Sequence, residues 1–237
     1  MNETKDWDNI QSQPFAFASI PPEAIEQGTE RRDVAKHRQR ILSTARTLFA
    51  EYGVDKVSMH QIARAAQVGQ GTLYRRYAHK GLLCMALLNE SLVHFQQEIL
   101  AYLQQEEETV TVSALEQLNA VLVQLIGFNE ANAPLLGAAV DGACGNRRTS
   151  PYQSSFYLWL RQIVMALLQH AIVREEIPHR DIEYTADLVL APLAIDFYLY
   201  QRQELGFTQE RIASGLQQFL FHGLNATREG DQGVTKQ

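Results

Sequence analysis

The stretch from Val57 to Lys80 constrains the fold of this chain more than any other part of the sequence. Ser58 is a favourable helix N-cap, and Gln61 stands three residues later, so the two side chains can form a capping box. Apolar residues then recur at helical spacing in a stripe narrow enough to lie against a second helix. They are Met59, Ile62, Ala63 and Ala66. The pattern predicts a short helix that packs closely on another.

A break and a second short helix follow in the same stretch. Gly69 is free to adopt backbone angles that other residues disfavour, which predicts a turn there. Leu73 and Tyr77 stand four residues apart and can face inward together. The side chains left outside are Gln70, Gly71, Thr72, Tyr74, Arg75 and Arg76. This face is polar, basic and aromatic, and such groups read base edges in a major groove and hold phosphates. The stretch therefore predicts a DNA-reading helix-turn-helix.

Charge is distributed unevenly along the chain, whose net charge is −6. Residues 30–82 hold eleven Lys or Arg and four Asp or Glu, whereas residues 83–237 hold nine and eighteen. A basic unit joined to an acidic body is typical of a DNA-binding head attached to a body with another task. We expect a head at 34–82, a helical body at 83–228 and a flexible tail at 229–237.

The segment before the stretch supplies another helix and an arm. Apolar residues from Ile41 to Tyr52 keep to one helical face, and Gly53 follows as a C-cap. Residues 1–33 are rich in Gln, Asn, Pro and Gly and predict a flexible arm. The basic run from Arg31 to Arg40 can track phosphates or enter a minor groove, and it can equally be the solvated start of a helix.

Residues 38–83 resemble the DNA-binding head of the tetracycline-repressor (TetR) family. The shared marks are LF-x-x-x-G at the end of the first helix, S-M-x-x-I-A-x-x-A in the second and G-T-L-Y in the third, with an aromatic residue and a lysine at fixed steps beyond. The resemblance implies DNA contacts by Gly71, Thr72, Tyr74 and Arg75, and a phosphate contact by Lys80. It also implies a variable helical body for effector binding and dimerisation. We add Ser58, Gln70 and Arg76 as candidate DNA contacts.

This chain departs from the family at several positions of the motif. It has Gly69 and Gln70 where members often carry Ser-Lys, Arg76 and Tyr77 where they carry His-Phe, and Gly81 where they carry Glu. The lost lysine removes one cation, and Arg76 returns one nearby. The operator sequence of a relative is therefore not transferable to this protein.

Helical patterns continue through the body, and no segment alternates long enough to predict a strand. We expect a long helix from Lys80 to about Gln105, closed by an acidic loop, and a second capping box of Ser113 with Glu116. Further helix starts are predicted at Asn132 with Pro134, Ser150 with Pro151, Asp181 and Thr208, with a loop at 142–150 and a kink at Pro192. The fold class is all-α.

The body is predicted to serve ligand binding and dimerisation. The last two long helices carry more apolar surface than a helix at the edge of a monomer has to bury, which favours a homodimer. The alternative is that these apolar stripes pack only inside the core of one chain. Candidate effector-binding residues are Phe128, Asn129, Phe156, Trp159 and Asp196. Most pockets in helical bodies are apolar with a few polar anchors, and plain core remains the alternative role for the aromatic residues.

Other functional classes receive little support from the sequence. The seven histidines form no H-x-x-x-H motif, and the two cysteines form no Cys-x-x-Cys motif. No metal site and no cofactor are therefore predicted. No signal peptide or long apolar run is recognisable, which predicts a cytoplasmic protein without a membrane partner, and Cys84 and Cys144 are expected to be reduced. The leading interpretation is a transcriptional regulator that a small molecule releases from a double-stranded, pseudo-palindromic DNA operator. A repressor is favoured over an activator. The alternatives are an effector-independent DNA organiser and a helical enzyme with a DNA-binding head.

Overall fold

A computed structural model describes residues 28–109, 112–142, 152 and 154–224, and the side chains of 35–105, 112–140, 152 and 154–224. The described chain is helical and contains no strand, which confirms the all-α prediction for these residues. The helices are α1 (Gly28–Tyr52), α2 (Met59–Ala65), α3 (Gln70–Arg76), α4 (Lys80–Thr109), α5 (Ala114–Gly142), α6 (Ser155–Val173), α7 (Ile182–Leu190), α8 (Ile195–Gln203) and α9 (Gln209–Gln218). A 3-10 turn (Ala191–Leu193) precedes α8, and a π turn (Phe219–Gly223) follows α9.

Packing divides the chain into two compact units. The described part of one consists of residues 28–98 together with 128–142, 152 and 154–158, and that of the other consists of 99–109, 112–127 and 159–224. The division differs from the boundary at 82 and 83 proposed from the sequence, because α4 and α5 each begin in one unit and end in the other. The unit with α2 and α3 is called the head unit below.

The core of the head unit is built from α1, α2, α3 and the first turns of α4. The stripe predicted on α2 is buried, and Leu73 and Tyr77 are both fully buried, as predicted. Side chains near the carboxyl end of α5 pack on the same core, namely Leu135, Ala138 and Ala139. A segment far along the chain thus adds to the core of the head unit.

Short-range capping interactions fix the ends of the helices as predicted. Ser58 Oγ accepts a hydrogen bond from Gln61 N, and Gln61 Oε1 accepts from Ser58 N. The equivalent reciprocal bonds join Ser113 and Glu116, and hydrogen bonding to Ser113 holds the pKa of Glu116 below its usual value. Gly53 closes α1 with φ +85°. Asp181 and Thr208 cap α7 and α9.

The turn between α2 and α3 is built differently from the prediction. Gly69 has φ −63° and ψ 140°, which any residue can adopt, so its conformational freedom is not what makes the turn. The left-handed residue is Gln67, with φ 51°. Val68 N donates to Ala63 O and Gln67 N donates to Arg64 O, the bonds of a Schellman motif. Arg40 Nη2 donates to Gln67 O at 3.2 Å, so α1 braces the strained position.

Three helix boundaries differ from the sequence prediction. Helix α1 begins at Gly28, inside the arm proposed for residues 1–33. Helix α4 runs to Thr109, through the acidic triplet that was expected to be a loop. Pro134 does not start a helix but lies inside α5 at an exposed position, although proline has no N–H to donate within the helix.

Pro192 has a stronger effect than the predicted kink. Helix α7 ends at Leu190, and Ala194 adopts φ −56° and ψ 131°, which separates α7 from α8. Buried Gln201 donates its side-chain amide to Pro192 O at 2.7 Å and holds the break in place. The proline therefore divides one apolar pattern into two helices.

Several predictions lie outside the described residues. These are the arm over residues 1–27, the loop at 143–150 with Cys144, the Ser150 and Pro151 helix start, and the tail at 229–237.

In the second unit, the charged side chains of Arg161, in α6, and Glu176, just after α6, bind neighbouring helices. Arg161 donates to both carboxylate oxygens of Asp187, at 2.8 and 3.1 Å, and the hydrogen bonds to Asp187 raise the pKa of the guanidinium. Glu176 accepts from Ala114 N at 2.9 Å and from Leu115 N at 3.0 Å, so its carboxylate satisfies the first amides of α5. The N-terminus of α5 is thereby held to the segment that follows α6.

Helix α6 is the one described helix long and apolar enough to span a membrane by length and composition. This was not anticipated from the sequence. The apolar residues that it buries within the protein are Trp159, Leu160, Ile163, Val164, Leu167, Leu168 and Ala171. Within the apolar window, 39% of the residues are buried in the protein.

Replacement of Gln67 by glycine tests the strained turn. A left-handed backbone costs a non-glycine residue about 1–2 kcal/mol, and glycine loses about 0.5–1 kcal/mol more backbone entropy on folding. We expect Gln67→Gly to raise the free energy of unfolding by about 0.5–1 kcal/mol, measured by urea denaturation.

The matched control for Gln67→Gly is Gly53→Ala. Gly53 has positive φ, and an added Cβ would meet no atom within 4 Å, so only backbone strain changes. Gly53→Ala should destabilise the protein by about 1 kcal/mol. A loss of stability in Gln67→Gly would show that the Gln67 side chain, and not its backbone, matters at the turn.

Candidate nucleic-acid interface

Helix α3 presents the predicted face to the outside. Leu73 and Tyr77 lie fully buried on one side. Of the six residues predicted to face outward, four are exposed and two are half-buried. The exposed residues are Gln70, Gly71, Tyr74 and Arg75, and the half-buried ones are Thr72 and Arg76. These six thus occupy the sides of α3 that the buried Leu73 does not, and their contact with DNA stays a prediction.

Gly71 has no packing reason to lack a side chain. A Cβ built there would meet no atom within 4 Å, and its φ is not in the left-handed region. The position therefore leaves bare backbone on the outer face of α3. A molecule outside the protein can approach the helix more closely at Gly71 than beside a larger residue.

Thr72 and Arg75 form a pair on this face. Arg75 Nε donates to Gly71 O at 3.2 Å, and Nη2 donates to Thr72 Oγ1 at 3.4 Å. A guanidinium has five N–H donors, so these two bonds orient the group along α3 and leave the rest available. The arrangement suits bidentate donation to a planar acceptor such as a guanine edge.

Ser58 is committed to the start of α2. Its Oγ donates to Gln61 Oε1 at 2.8 Å and accepts from Gln61 N at 3.2 Å. A hydroxyl carries one proton, and here that proton is used within the capping box. The predicted role of Ser58 in DNA contact therefore competes with the cap.

Lys80 is also engaged inside the head unit. Its Nζ donates to the carbonyl oxygens of Val54, Val57 and Asp55, at 2.8, 3.2 and 3.4 Å. These three acceptors match the three protons of an ammonium group and fasten the loop before Ser58 to the start of α4. The predicted phosphate contact requires Lys80 to leave at least one of these carbonyls.

Cys84, one turn after Lys80, is a core residue and not a reactive thiol. It is fully buried, and burial raises its pKa to about 11, with a smaller lowering by Lys80 and a smaller raising by Asp55. The thiolate is the nucleophilic form, so at neutral pH Cys84 stays protonated and inert.

Two of the five residues proposed for effector binding, Phe128 and Phe156, share an aromatic cluster in the head unit. Phe128 and Phe156 lie 5.9 Å apart between ring centroids, and Phe95 completes the cluster at 4.9 Å from Phe128 and 5.9 Å from Phe156. Asn129, the residue that follows Phe128, is buried. Trp159 is buried in the second unit, and exposed Asp196 there accepts from Phe197 N.

Phe95 was missed in the sequence analysis. It lies in the middle of α4, where its spacing is that of an ordinary core position. No signal in the sequence distinguishes such a position from a pocket lining, because the contact joins α4 to segments 33 and 61 residues away.

A cavity of about 440 Å³ lies between α1 and α4 in the head unit, and none of the residues proposed for effector binding is among its lining residues. It is lined by Ala35, Arg38, Gln39, Leu42, Ser43, Arg46, Ala86, Asn89 and Glu90. Arg46 and Glu90 form an exposed salt bridge of 2.9 Å on its wall. Among the residues that the structure describes, no group of three or more His, Cys, Asp or Glu side chains can hold a metal ion.

Replacing Lys80 by alanine separates its two possible roles. The loss of charge-assisted bonds to three carbonyls should lower the free energy of unfolding by about 1–2 kcal/mol. We expect the slope of log K against log salt for DNA binding to stay unchanged, because the ammonium is used inside the head unit. Urea denaturation and a salt titration of binding measure the two effects.

The control is Lys56→Ala, which removes an exposed cation from the same loop without losing a hydrogen bond. It should change stability by less than about 0.5 kcal/mol. A slope that becomes shallower by about 0.9 in Lys80→Ala would instead establish a phosphate contact by Lys80.

Comparisons with known proteins agree with this geometry. The family described as "Bacterial regulatory proteins, tetR family" matches residues 41–86. An HTH-type transcriptional regulator of Staphylococcus aureus (strain bovine RF122) is 35% identical over 127 residues, which cover 54% of this chain. The chain spans 64% of the length of that relative.

Solved structures share the fold at low sequence identity. The TetR-family repressor FadR of Thermus thermophilus, in complex with lauroyl-CoA, is 17% identical with a TM-score of 0.59, covering 84% of this chain and 100% of that one. A TetR/AcrR-family regulator of Thermobifida fusca is 16% identical with a TM-score of 0.56, covering 79% and 98%. Residues 41–86 are thus similar to the tetR family of bacterial regulatory proteins, and the described helices share the fold of these solved structures.

Proposed function

We propose that this protein is a sequence-specific DNA-binding transcriptional regulator, acting as a repressor that a small-molecule effector releases from its operator. The observation that carries the proposal is the outer face of α3, where Gln70, Gly71, Tyr74 and Arg75 are exposed above a fully buried Leu73. Thr72 and Arg75 read bases, while Tyr74 and Arg76 hold phosphates. This role places the protein in the cytoplasm, where DNA is accessible, and requires no enzymatic activity.

The effector proposal is supported by the Thermus thermophilus repressor, which shares the fold and was solved with lauroyl-CoA. In this protein the aromatic cluster of Phe95, Phe128 and Phe156 offers an apolar surface that an effector can contact. Phe128 lies on α5, the helix whose Leu135 also packs on the head core. A ligand that displaces Phe128 would therefore act on the same helix that packs on the head core.

Thermodynamics limits the size of this switch. A ligand shifts the equilibrium between two states only by its difference in affinity for them, typically about 1–3 kcal/mol. Operator affinity should accordingly fall about 5- to 150-fold when the effector saturates the protein.

We further propose that the protein acts as a homodimer. Helix α7 exposes Tyr184 and Leu188, one turn apart, with 64% and 47% of their surfaces accessible. Helix α8 exposes Phe197 and Tyr200, whose rings stack at 6.1 Å between centroids. Exposed aromatic and aliphatic side chains of this kind support an interface with a second copy of the chain. Two heads spaced about 34–36 Å apart would read a pseudo-palindrome.

Selection of DNA from a random pool by the purified protein tests the proposal. A palindrome with half-sites about one helical turn apart is the expected result. Binding without sequence preference would favour a DNA-organising protein instead. Failure to retain any DNA would contradict the assignment of the helix-turn-helix.

Substitutions on α3 test the assignment of base reading. Arg75→Ala and Thr72→Ala should each weaken binding to the selected operator by about 1–3 kcal/mol and relax the preference at specific base pairs. Repeating the selection with each variant measures the preference. An unchanged base profile in both variants would show that α3 does not read the sequence.

Leu188→Glu tests the dimer. A charge buried in a dimer interface without a partner should weaken association at least about 30-fold, equivalent to about 2 kcal/mol. Sedimentation velocity across a concentration series measures the effect. Val173→Glu, at an exposed position that ends α6, is the control for an added charge and should leave association unchanged. Dissociation by both variants alike would contradict the proposed interface.

A further inference from the structure

The cavity between α1 and α4 plays no part in the proposed reading of DNA. Its volume of about 440 Å³ falls in the range that small-molecule sites occupy. All of its lining residues belong to the head unit, and they do not include the aromatic cluster of Phe95, Phe128 and Phe156. The cavity is therefore a separate place where a small molecule can bind.

Two polar side chains of the cavity lining are available to a ligand. Arg38 is exposed and Asn89 is half-buried, and neither side chain has a hydrogen-bond or ion-pair partner among the described residues. Because a half-buried amide has lost part of its contact with water, the unpaired amide of Asn89 favours a polar ligand. The planar guanidinium of Arg38 can donate two parallel hydrogen bonds to a carboxylate.

The charges around the cavity limit the charge of its ligand. Arg46 and Glu90, which both line the cavity, neutralise each other in a salt bridge of 2.9 Å that joins α1 to α4. Among the lining residues that the structure describes, Arg38 is left as the one charge without an opposite partner. A ligand with a single negative charge balances Arg38, whereas the carboxylate of Glu90 would repel a second negative charge.

Apolar surface lies in the same cavity. Leu42 of α1 and Ala86 of α4 line it and are half-buried, and both also pack on the core of the head unit. An apolar group that covers the exposed part of these side chains removes it from water, which is favourable. The lining thus combines a cation, an amide donor and a small apolar area.

We propose that the cavity between α1 and α4 binds a small molecule with one carboxylate and a compact apolar part. The carboxylate pairs with Arg38 and accepts a hydrogen bond from the Asn89 amide, and the apolar part lies on Leu42 and Ala86. Such a ligand contacts both helices and adds to the link that the Arg46–Glu90 salt bridge makes between them. The site does not depend on the proposed DNA-binding function, so either can fail without the other.

Titration of the full-length protein with cyclohexanecarboxylate tests the site, with the chemical shifts of ¹⁵N-labelled backbone amides as the readout. We expect saturable binding with a Kd of about 1 mM and the largest shifts in the segments of α1 and α4 that line the cavity. Cyclohexanecarboxamide has nearly the same shape without the charge and should bind at least about tenfold more weakly. Equal binding of the two compounds would overturn the inference, as would shifts confined to the aromatic cluster or the absence of saturable binding.

Substitutions in the full-length protein assign the two polar contacts. Arg38→Gln removes the charge and keeps a long polar side chain, and it should weaken binding of the carboxylate at least about tenfold. Asn89→Ala removes the amide donor and should weaken binding about threefold or more. Thermal unfolding followed by circular dichroism checks that both variants keep the fold.

Arg64→Gln is the matched control for Arg38→Gln. It removes an exposed cation from α2 that does not line the cavity, so the Kd should stay unchanged. Equal losses of affinity in Arg38→Gln and Arg64→Gln would show general charge attraction and overturn the inference. Wild-type affinity in both Arg38→Gln and Asn89→Ala would also overturn it.

Discussion

The burial of Leu73 and Tyr77 decides where α3 can point, and the rest of the head depends on it. Helix α3 has seven residues and is too short to be stable alone, so its orientation comes from these two contacts. Hydrogen bonds from polar side chains elsewhere in the head unit also fix the segments around α2 and α3. Arg40 braces the turn through Gln67 O, and Lys80 fastens the loop before α2. The side chains on the outer face are left to face a partner.

Interactions between near neighbours made most of the fold predictable. The capping box of Ser58 and Gln61 joins residues three apart, and the caps at Asp181 and Thr208 span the same distance. Helical spacing likewise predicted the burial of Leu73 and Tyr77, and with it the outer face of α3. Such interactions are readable because both partners appear within one turn of a helix.

Features that depend on distant residues could not be predicted in this way. Gln67 adopts a left-handed backbone where Gly69 was expected to, because Arg40, 27 residues away, and the Schellman bonds hold it. Pro134 stays inside α5, whose following residues are held by the head core. The carbonyl acceptors of Lys80 lie 23–26 residues earlier in the chain, and no local sequence pattern predicts these hydrogen bonds.

The packing of Leu135, Ala138 and Ala139 on the head core has a consequence for modularity. A fragment that ends before α5 lacks these side chains, so part of the apolar surface of the head core that they cover would be open to water. Exchange of heads between relatives would likewise bring together a core and a supporting helix that did not evolve as a pair. The sequence of the head core is therefore tied to that of a segment of α5 that lies far along the chain.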